Sequence, residues 1–308
     1  MTKRKGKFPL INIIKKAIKN PNWIIYVFKD NLFFNFLYGN INNYVMNYKN
    51  IQTKFLTNDD YSKHWFFPRL ENAKIYEPAI IKMTIDSLKE GDVFVDVGTH
   101  LGYYACIAGK ICHKVYGFEV DKNVFEILNK NIKYNDLSNV EVFNYGVTNK
   151  DGFVKIPKIS KPNPILEIIN DNTTYNFCKV KAISLDEFFK NKKNKPTVIK
   201  IDVEGAELLV LEGMQSLLTN ENIKLFLEIH GKRLHKFNTN PKEIISFLNN
   251  YGYEVYEITK HMNIDTKTEK KLIKPENHES INPHTMLYVT KTKQQSPLQG
   301  FCLTYFFS

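Results

Sequence analysis

The chain has 308 residues, 43% of them hydrophobic and 24% charged, and this composition excludes a protein that is disordered throughout. The 43 lysines and arginines exceed the 32 aspartates and glutamates, which gives a formal net charge of +11 at pH 7. Such an excess favours anionic partners, but a lysine-rich genome composition would produce it equally well.

The cysteines and the N-terminus indicate the compartment. The four cysteines fit neither a zinc-ligand spacing nor a CxxC redox motif, so we expect reduced thiols in Cys106, Cys112, Cys178 and Cys302. The basic N-terminus lacks the apolar core and the small-residue cleavage site of a signal peptide. The sequence contains no run of about 18 apolar residues, so we expect no membrane-spanning helix. We therefore expect a cytoplasmic protein.

Residues 1–75 differ from the rest of the chain because they carry many aromatic side chains in a background of Asn and Lys. No helical or strand period holds for long, and we expect a helical, aromatic extension. We favour a cap that packs its aromatic residues on the main domain. The alternative is an amphipathic segment over 8–37 that gives peripheral contact with a membrane surface.

From residue 78 onward, the pattern of apolar residues becomes regular. It predicts helices over 78–89, 101–110, 123–134, 205–218 and 241–250. It predicts strands over 93–97, 114–120, 140–147, 196–202, 224–230, 251–258 and 284–291, with short strands within 148–183. This alternation indicates an α/β domain over 76–291 with a mostly parallel sheet of seven strands, followed by a tail over 292–308. The last strand follows another strand without an intervening helix, so we expect it to be antiparallel.

The stretch VFVDVGTHLGYYA joins the first of these strands to its helix. It lacks the middle glycine of a dinucleotide-binding GxGxxG motif, which disfavours a pyrophosphate ligand. Gly98 and Gly102 allow close approach of a ligand. The pattern acid-x-Gly-x-x-x-Gly resembles the S-adenosylmethionine loop of class I methyltransferases, and Asp96 suits that ligand because it carries a cationic sulfonium and an ammonium group. Glu119, at the end of the second strand, is placed to accept hydrogen bonds from ribose hydroxyls.

Acids also follow the fourth and fifth strands, in IKIDVEGAE (199–207) and FLEIH (226–230). Ligands of open α/β sheets bind at the carboxyl ends of the strands, so Asp202, Glu204, Glu228 and His230 are candidates for a site there. Buried carboxylates are costly unless they are paired, wet or functional. Glu207 has a sufficient structural explanation, because an acid is favourable in the first turn of a helix.

The succession of DVGTHLGYY, GFEVD, NYGVTNKDG, SLDEFF, IKIDVEGAELLVLEGM and LFLEIH resembles the FkbM family of S-adenosylmethionine-dependent methyltransferases over residues 90–290. The resemblance implies a Rossmann-like class I methyltransferase fold, the cofactor S-adenosyl-L-methionine, and O-methylation, often of a sugar or polyketide hydroxyl. We expect cofactor contacts from Asp96, Gly98, Thr99, His100, Gly102, Glu119, Val120 and Asp202. His100 stands where relatives usually have Asn, and it can still donate one hydrogen bond.

Methyl transfer to oxygen requires alignment and a hydroxyl that can lose its proton. We expect Asp202 near the methyl donor, as a cofactor ligand or as a base. Glu204, Glu228 and His230 are candidates for binding the acceptor or removing its proton. Such side chains could also hold a cation, but no tight ligand spacing demands one, and we expect no metal.

Other functions are weighed against a sugar, glycan or small-metabolite O-methyltransferase. The net charge suggests an RNA methyltransferase, but the [N/D]PP[Y/F] motif and a rim cysteine are absent, and an acidic rim repels phosphate. A second alternative is a non-catalytic protein that docks on a membrane or on a glycan-assembly partner. It is disfavoured because such a protein would not need the complete set of acids at the strand ends. A nicotinamide oxidoreductase is disfavoured by the missing glycine. We expect a hydroxyl-bearing small molecule or glycan as the partner.

Overall fold

The structure, a computed structural model, describes residues 41–70, 75–158, 176–258, 270–273 and 284–291. The segment 8–37, the loop 160–174, Cys302 and the tail 292–308 lie outside the described residues. Of the described residues, 41–44 and 56–70 belong to one compact unit and the others to a second. The division of the chain at residues 75 and 291 stays a prediction.

The described part of the N-terminal extension contains strands as well as a helix, where helices alone were predicted. Strands β1 (Asn43–Tyr48) and β2 (Ile51–Leu56) form a two-stranded sheet, and helix α1 covers Asp60–Leu70. Thr53 and Phe55 of β2 are buried while Lys54 between them is exposed. This alternation has the period of a strand, but it is too short to stand out in an aromatic-rich sequence.

The second unit carries the remaining elements. In chain order, its strands are β3 (Val93–Val97), β4 (Lys114–Phe118), β5 (Val140–Phe143), β6 (Gly146–Val147), β7 (Gly152–Pro157), β8 (Phe177–Ile183), β9 (Val198–Ile201), β10 (Lys224–His230), β11 (Tyr253–Ile258), β12 (Lys270–Ile273) and β13 (His284–Lys291). Its helices are α2 (Pro78–Ser87), α3 (Tyr103–Gly109), α4 (Lys122–Tyr134), α5 (Leu185–Phe189), α6 (Glu207–Glu212), α7 (Gln215–Asn220), α8 (Gly231–Leu234) and α9 (Pro241–Asn250), and a 3-10 turn covers His235–Phe237.

The main sheet has the strand order β12-β11-β13-β10-β9-β3-β4-β5. Strands β10, β9, β3, β4 and β5 are parallel, and β13 is inserted antiparallel between β10 and β11. The predicted α/β architecture, its mostly parallel sheet and the antiparallel last strand are confirmed. The sheet also has an eighth strand, the antiparallel edge strand β12. Its sequence KKLI is too short and too polar to predict a strand.

Two predicted elements are divided in the structure. The strand predicted over 140–147 ends at Phe143, and β6 belongs to a separate three-stranded sheet of order β6-β8-β7. Between them the Asn144 amide donates to the backbone oxygens of Glu119 and Val120, at 2.8 and 3.0 Å. The helix predicted over 205–218 is divided into α6 and α7, because the Asp186 carboxylate accepts the first free amides of α7 at 2.8 and 2.9 Å.

The core lies between the main sheet and its helices. Central members are Val95, Ile199, Leu211, Leu227, Leu248 and Leu287. Strands β3 and β9 are buried along their whole length, including the side chains of Asp96 and Lys200. Polar groups in such strands need a specific explanation. No helix in the described ranges is both long and apolar enough to cross a membrane.

Candidate active site

The turn after β3 is bonded to the end of β4. The backbone amides of Gly98 and Thr99 both donate to the Phe118 oxygen at 3.0 Å. The Thr99 hydroxyl is buried and donates to the backbone oxygen of Asp96 at 2.7 Å, so this side chain stabilises the turn from within. The turn therefore lies directly beside Glu119, the residue that follows β4.

The glycines of this turn are required by its packing. Gly98 has a φ of +83°, and a Cβ atom there would lie 1.8 Å from the backbone oxygen of Asp202. Gly102 has a φ of +88°, and a Cβ atom there would lie 2.6 Å from Cδ1 of Leu128. The sequence analysis explained both glycines by ligand approach, whereas the backbone contact at Gly98 and the positive φ of Gly102 favour glycine without any ligand.

Glu119 is held by two backbone donors. The amide of His100, a residue with a φ of 54°, donates to Oε2 at 2.9 Å, and the amide of Asp121 donates to Oε1 at 2.8 Å. Burial raises the pKa of Glu119 to about 7, although these amides oppose the rise. Each oxygen retains capacity for a second hydrogen bond. His100 thus contributes its backbone to the site, while a cofactor contact from its side chain stays a prediction.

Asp96 is 1% exposed, and neither carboxylate oxygen makes a hydrogen bond of normal geometry. Burial raises its pKa to about 7, while the charge of Lys200 and the nearby amide of Ala105 lower it. A buried carboxylate in this condition is rare in native proteins and commonly marks a place where a ligand or an ion completes the contacts.

Lys200 is the cation of this region, and the sequence analysis did not identify it. Its Nζ atom lies 3.0 Å from Oδ2 of Asp202 and 4.7 Å from the centre of the Tyr104 ring, and the side chain is 3% exposed. Burial lowers the pKa of Lys200, but the charges of Asp202 and Asp96 outweigh burial and raise it. The signal was available, because a lysine inside the apolar run VIKI of a buried strand is unusual.

A second residue that the sequence analysis missed is Glu77, which precedes α2. Its Oε2 atom accepts the Tyr104 hydroxyl at 2.5 Å, and its side chain is buried. Glu77 has a φ of 46°, a strained conformation for a residue with a Cβ atom. Tyr104 therefore contacts Glu77 through its hydroxyl and Lys200 through its ring. The charge of Glu77 also raises the pKa of Lys200.

The catalytic candidates come together around the imidazole of His230, at the end of β10. Its Nε2 atom lies 3.1 Å from Glu204 Oε2, 3.8 Å from Asp202 Oδ1 and 3.9 Å from Glu228 Oε1. Its Nδ1 atom lies 2.8 Å from Oε1 of Glu207. Burial lowers the pKa of His230, but the bond to Glu207 and the neighbouring carboxylates raise it more, and the net shift is upward.

Glu207 has a larger role than the sequence analysis gave it. It lies in the first turn of α6, as predicted, and is 0% exposed. Oε1 also accepts the Gly205 amide at 3.0 Å, whereas Oε2 has no hydrogen-bond partner. The helix dipole accounts for an acid at this position, but the dipole does not predict that the acid orients a histidine on the neighbouring strand.

Asp202 and Glu204 form the accessible side of the cluster. Their side chains are 29% and 24% exposed, against 7% and 6% for Glu228 and His230. Burial raises the pKa of Asp202, but the charges of Lys200 and His230 outweigh this effect and lower it to about 2. Glu204 is paired with Arg233 of α8. A ligand that reaches the cluster therefore meets Asp202 and Glu204 first.

A cavity of about 630 Å³ elsewhere in the second unit is separate from this cluster. It is lined by residues near the starts of β3 and β4, among them Lys89, Lys110 and His113. The cluster lies at the carboxyl ends of the strands, so the two lie at opposite ends of the sheet.

A family model, the methyltransferase FkbM domain, matches residues 96–255, which is more than half of the chain. The chain belongs to the FkbM methyltransferase family. It is therefore an S-adenosylmethionine-dependent methyltransferase, and the reading as a non-catalytic docking protein is set aside. The matched range contains every candidate residue named above for the cofactor and for catalysis.

Relatives of this FkbM methyltransferase include the hexuronic acid methyltransferase AglP of Haloferax volcanii. The two are 31% identical over 186 residues, which is 60% of this chain and 72% of AglP. An uncharacterized protein of Methanocaldococcus jannaschii is 40% identical over 65 residues, 21% of this chain and 25% of that protein. The crystal structure of an FkbM methyltransferase from Methylobacillus flagellatus aligns with a TM-score of 0.41 at 17% identity, over 75% of this chain and 55% of that one.

The residues of this FkbM methyltransferase fit the cofactor. S-adenosylmethionine supplies an electrophilic methyl group on a positively charged sulfur. The carboxylate of Asp96, whose oxygens make no hydrogen bond of normal geometry, suits a cationic ligand. The oxygens of Glu119 suit a pair of ribose hydroxyls. Glu119 and the Gly98–Gly102 turn lie at the ends of adjacent parallel strands, so one ligand could contact both.

Proposed function

We propose that this enzyme transfers the methyl group to a hydroxyl of a sugar, either free or within a glycan. The observation that carries this proposal is the 31% identity, over 186 residues, to a hexuronic acid methyltransferase. The cluster around His230 supports it, because a neutral hydroxyl needs hydrogen-bond acceptors and a base, and the cluster offers carboxylates at its accessible side.

The reaction is an in-line displacement at the methyl carbon. The acceptor oxygen forms a bond to that carbon, the carbon–sulfur bond breaks, and its electron pair stays on sulfur, which becomes a neutral thioether. We assign the proton of the hydroxyl to Glu204, which is accessible and lies 3.1 Å from Nε2 of His230. Asp202 is a weak base because its pKa is lowered to about 2, and it serves as a fixed negative charge instead.

The same charges disfavour RNA as the acceptor. Asp202 and Glu204 are the most accessible acids of the cluster and would repel a phosphate backbone. The net charge of +11, in contrast, favours binding to RNA, so RNA is included among the acceptors to be assayed.

The test is an assay with S-adenosylmethionine and a panel of acceptors: glucose and glucuronic acid glycosides, oligosaccharides that contain them, and RNA. We expect S-adenosylhomocysteine to form together with an O-methylated sugar identified by mass spectrometry and NMR. Glu204→Gln should slow turnover at least about a hundredfold, in the range of a lost general base. The control Glu90→Gln, at an exposed position, should not slow it. Methylation of RNA and of no sugar would overturn the proposal.

A further inference from the structure

Three side chains at the ends of two adjacent strands lie close enough together to share a metal ion. Asp202 follows β9, and Glu228 and His230 belong to β10. Each offers one ligand atom, and the three atoms lie within 4.8 Å of one another. A cation bound at about 2.0 to 2.5 Å from each atom can span such separations. The spacing along the chain gave no such signal, because the parallel pairing of β9 and β10 brings these residues together.

Two of the ligand atoms are oriented by groups outside the set. Lys200 donates to Oδ2 of Asp202 at 3.0 Å, which leaves Oδ1 directed at the cluster. Nδ1 of His230 lies 2.8 Å from Oε1 of Glu207, so a neutral ring that donates its hydrogen to Glu207 would present the lone pair of Nε2 to the cluster. A buried carboxylate on the far nitrogen of a histidine is the usual outer contact of a metal-bound imidazole.

The Nε2 atom of His230 faces three carboxylates, those of Asp202, Glu204 and Glu228. A proton on Nε2 would satisfy Glu204 at 3.1 Å. The oxygens of Asp202 and Glu228 lie 3.8 and 3.9 Å from Nε2, too far to accept a hydrogen bond from it. Separations of this length between ligand atoms are normal around a shared cation.

The charges around the cluster leave room for a cation. Four carboxylates lie within 4.0 Å of the imidazole, those of Asp202, Glu204, Glu207 and Glu228. Lys200 pairs with Asp202, and Arg233 pairs with Glu204. The buried Oε2 atom of Glu207 has no hydrogen-bond partner.

We propose that Asp202, Glu228 and His230 bind a divalent first-row cation that holds the acceptor hydroxyl. One imidazole nitrogen and two carboxylate oxygens form a mixed set of the kind that accepts Mn²⁺ or Zn²⁺. The inference rests on the proposed function for the identity of the bound hydroxyl. The cation would polarise the acceptor O–H bond, the proton would pass to Glu204, and the acceptor oxygen would attack the methyl carbon as described above.

The test is calorimetric titration of MnCl₂ into the full chain after treatment with chelator and desalting. We expect one Mn²⁺ per chain. Glu228→Gln and His230→Gln should each weaken binding at least about tenfold, the scale of lost metal contacts. Glu90→Gln and His235→Gln, at exposed positions, should leave it unchanged. Absence of Mn²⁺ and Zn²⁺ binding to the wild type, or equal binding by the ligand variants, would overturn the proposal.

A second measurement keeps the test valid if a variant does not fold. Pulsed EPR of Mn²⁺ bound to the wild type should detect coupling to an imidazole nitrogen, and its absence would remove His230 from the site. Titration of S-adenosylhomocysteine into the same samples shows whether each variant is folded, and the sugar methylation assay separates the two proposals. Sugar methylation that persists without any bound metal rejects the cation and retains the proposed function. Metal binding without sugar methylation retains the cation site and rejects the proposed function.

Discussion

His230 and Glu207 are joined by a hydrogen bond of 2.8 Å between Nδ1 and Oε1, and the Glu207 side chain is completely buried. The bond crosses from the first turn of α6 to the end of β10. It fixes the ring orientation of His230 and the nitrogen that carries its hydrogen. Glu207 is therefore a positioning residue, since its contacts lie on the far side of the ring from the accessible carboxylates.

Glu207→Gln should lower kcat at least about tenfold, because the imidazole loses the anion that orients it. KM for S-adenosylmethionine should stay unchanged, since the cofactor turn is not touched. The carboxylate also raises the pKa of His230, so any limb of the pH–rate profile due to His230 should move to lower pH. Glu212→Gln, at the other end of α6, is the matched control. An unshifted profile with normal kcat would leave Glu207 a purely structural acid.

Glu119→Gln and Glu119→Ala should weaken binding of S-adenosylhomocysteine by about 10- to 100-fold. A hydrogen bond to a charged group is worth about 1.5–3 kcal/mol, and each tenfold change in affinity corresponds to about 1.4 kcal/mol. Calorimetry measures the change directly. Glu141→Gln, on the exposed surface of the neighbouring strand β5, should bind normally. Equal affinity in all four proteins would place the ribose elsewhere.

Asp96→Asn should change how stability depends on pH. The pKa of Asp96 is about 7 in the folded protein and near its ordinary value of 3.8 when unfolded. Between these values the folded state binds more protons, so this residue lowers stability as pH rises from about 4 to about 7. The variant should therefore gain stability relative to wild type across that window. Urea unfolding at about pH 4.5 and about pH 8 measures the difference.

The control for this experiment is Asp136→Asn, at an exposed position with a φ of 54° that asparagine tolerates. Its stability relative to wild type should not depend on pH in the same window. If Asp96→Asn and Asp136→Asn gave parallel curves, the raised pKa of Asp96 would be wrong. The measurement is made without cofactor, because a cationic ligand would lower that pKa.

Gly98→Ala should destabilise the protein by about 2–4 kcal/mol, because the new methyl group would meet the backbone oxygen of Asp202 and the residue would keep a strained φ. Gly91→Ala is the matched control, since nothing lies within 4 Å of a Cβ atom there, and it should change stability by less than about 0.5 kcal/mol. Denaturant midpoints compare the two. A mild effect at Gly98 would mean that the ends of β3 and β9 can separate at little cost.

The residues that the sequence singled out for the candidate site lie at or near strand ends. Glu119, Asp202 and His230 each follow or close a buried apolar run, and Asp96 is the last residue but one of its strand. Parallel pairing then brings such residues to one rim. Lys200, which is the register partner of Asp96 on the neighbouring strand, was missed because the search looked for acids near the ends of the strands. The contact of Glu207 with His230 was missed because the helix dipole at the start of α6 is already a sufficient reason for an acid there.

The divided elements have a related cause. The end of β5 is set by Asn144, whose side chain donates hydrogen bonds to the backbone of Glu119 and Val120. The start of α7 is set by Asp186, whose side chain accepts hydrogen bonds from backbone amides about 30 residues later in the chain. Hydrophobic periodicity carries no information about such bonds. Strand β12 pairs with β11 at the sheet edge, where little burial is required and the apolar pattern is weak.

The close approach of Gly98 to the backbone of Asp202 has a thermodynamic consequence. The segment that is expected to carry the cofactor and the segment that is expected to meet the acceptor are in van der Waals contact through main-chain atoms, so neither can shift alone. A ligand that orders one segment lowers the entropy still to be lost when the other is ordered. By linkage the effect is reciprocal, and the affinity for the methyl donor and for the sugar should rise together by the same factor.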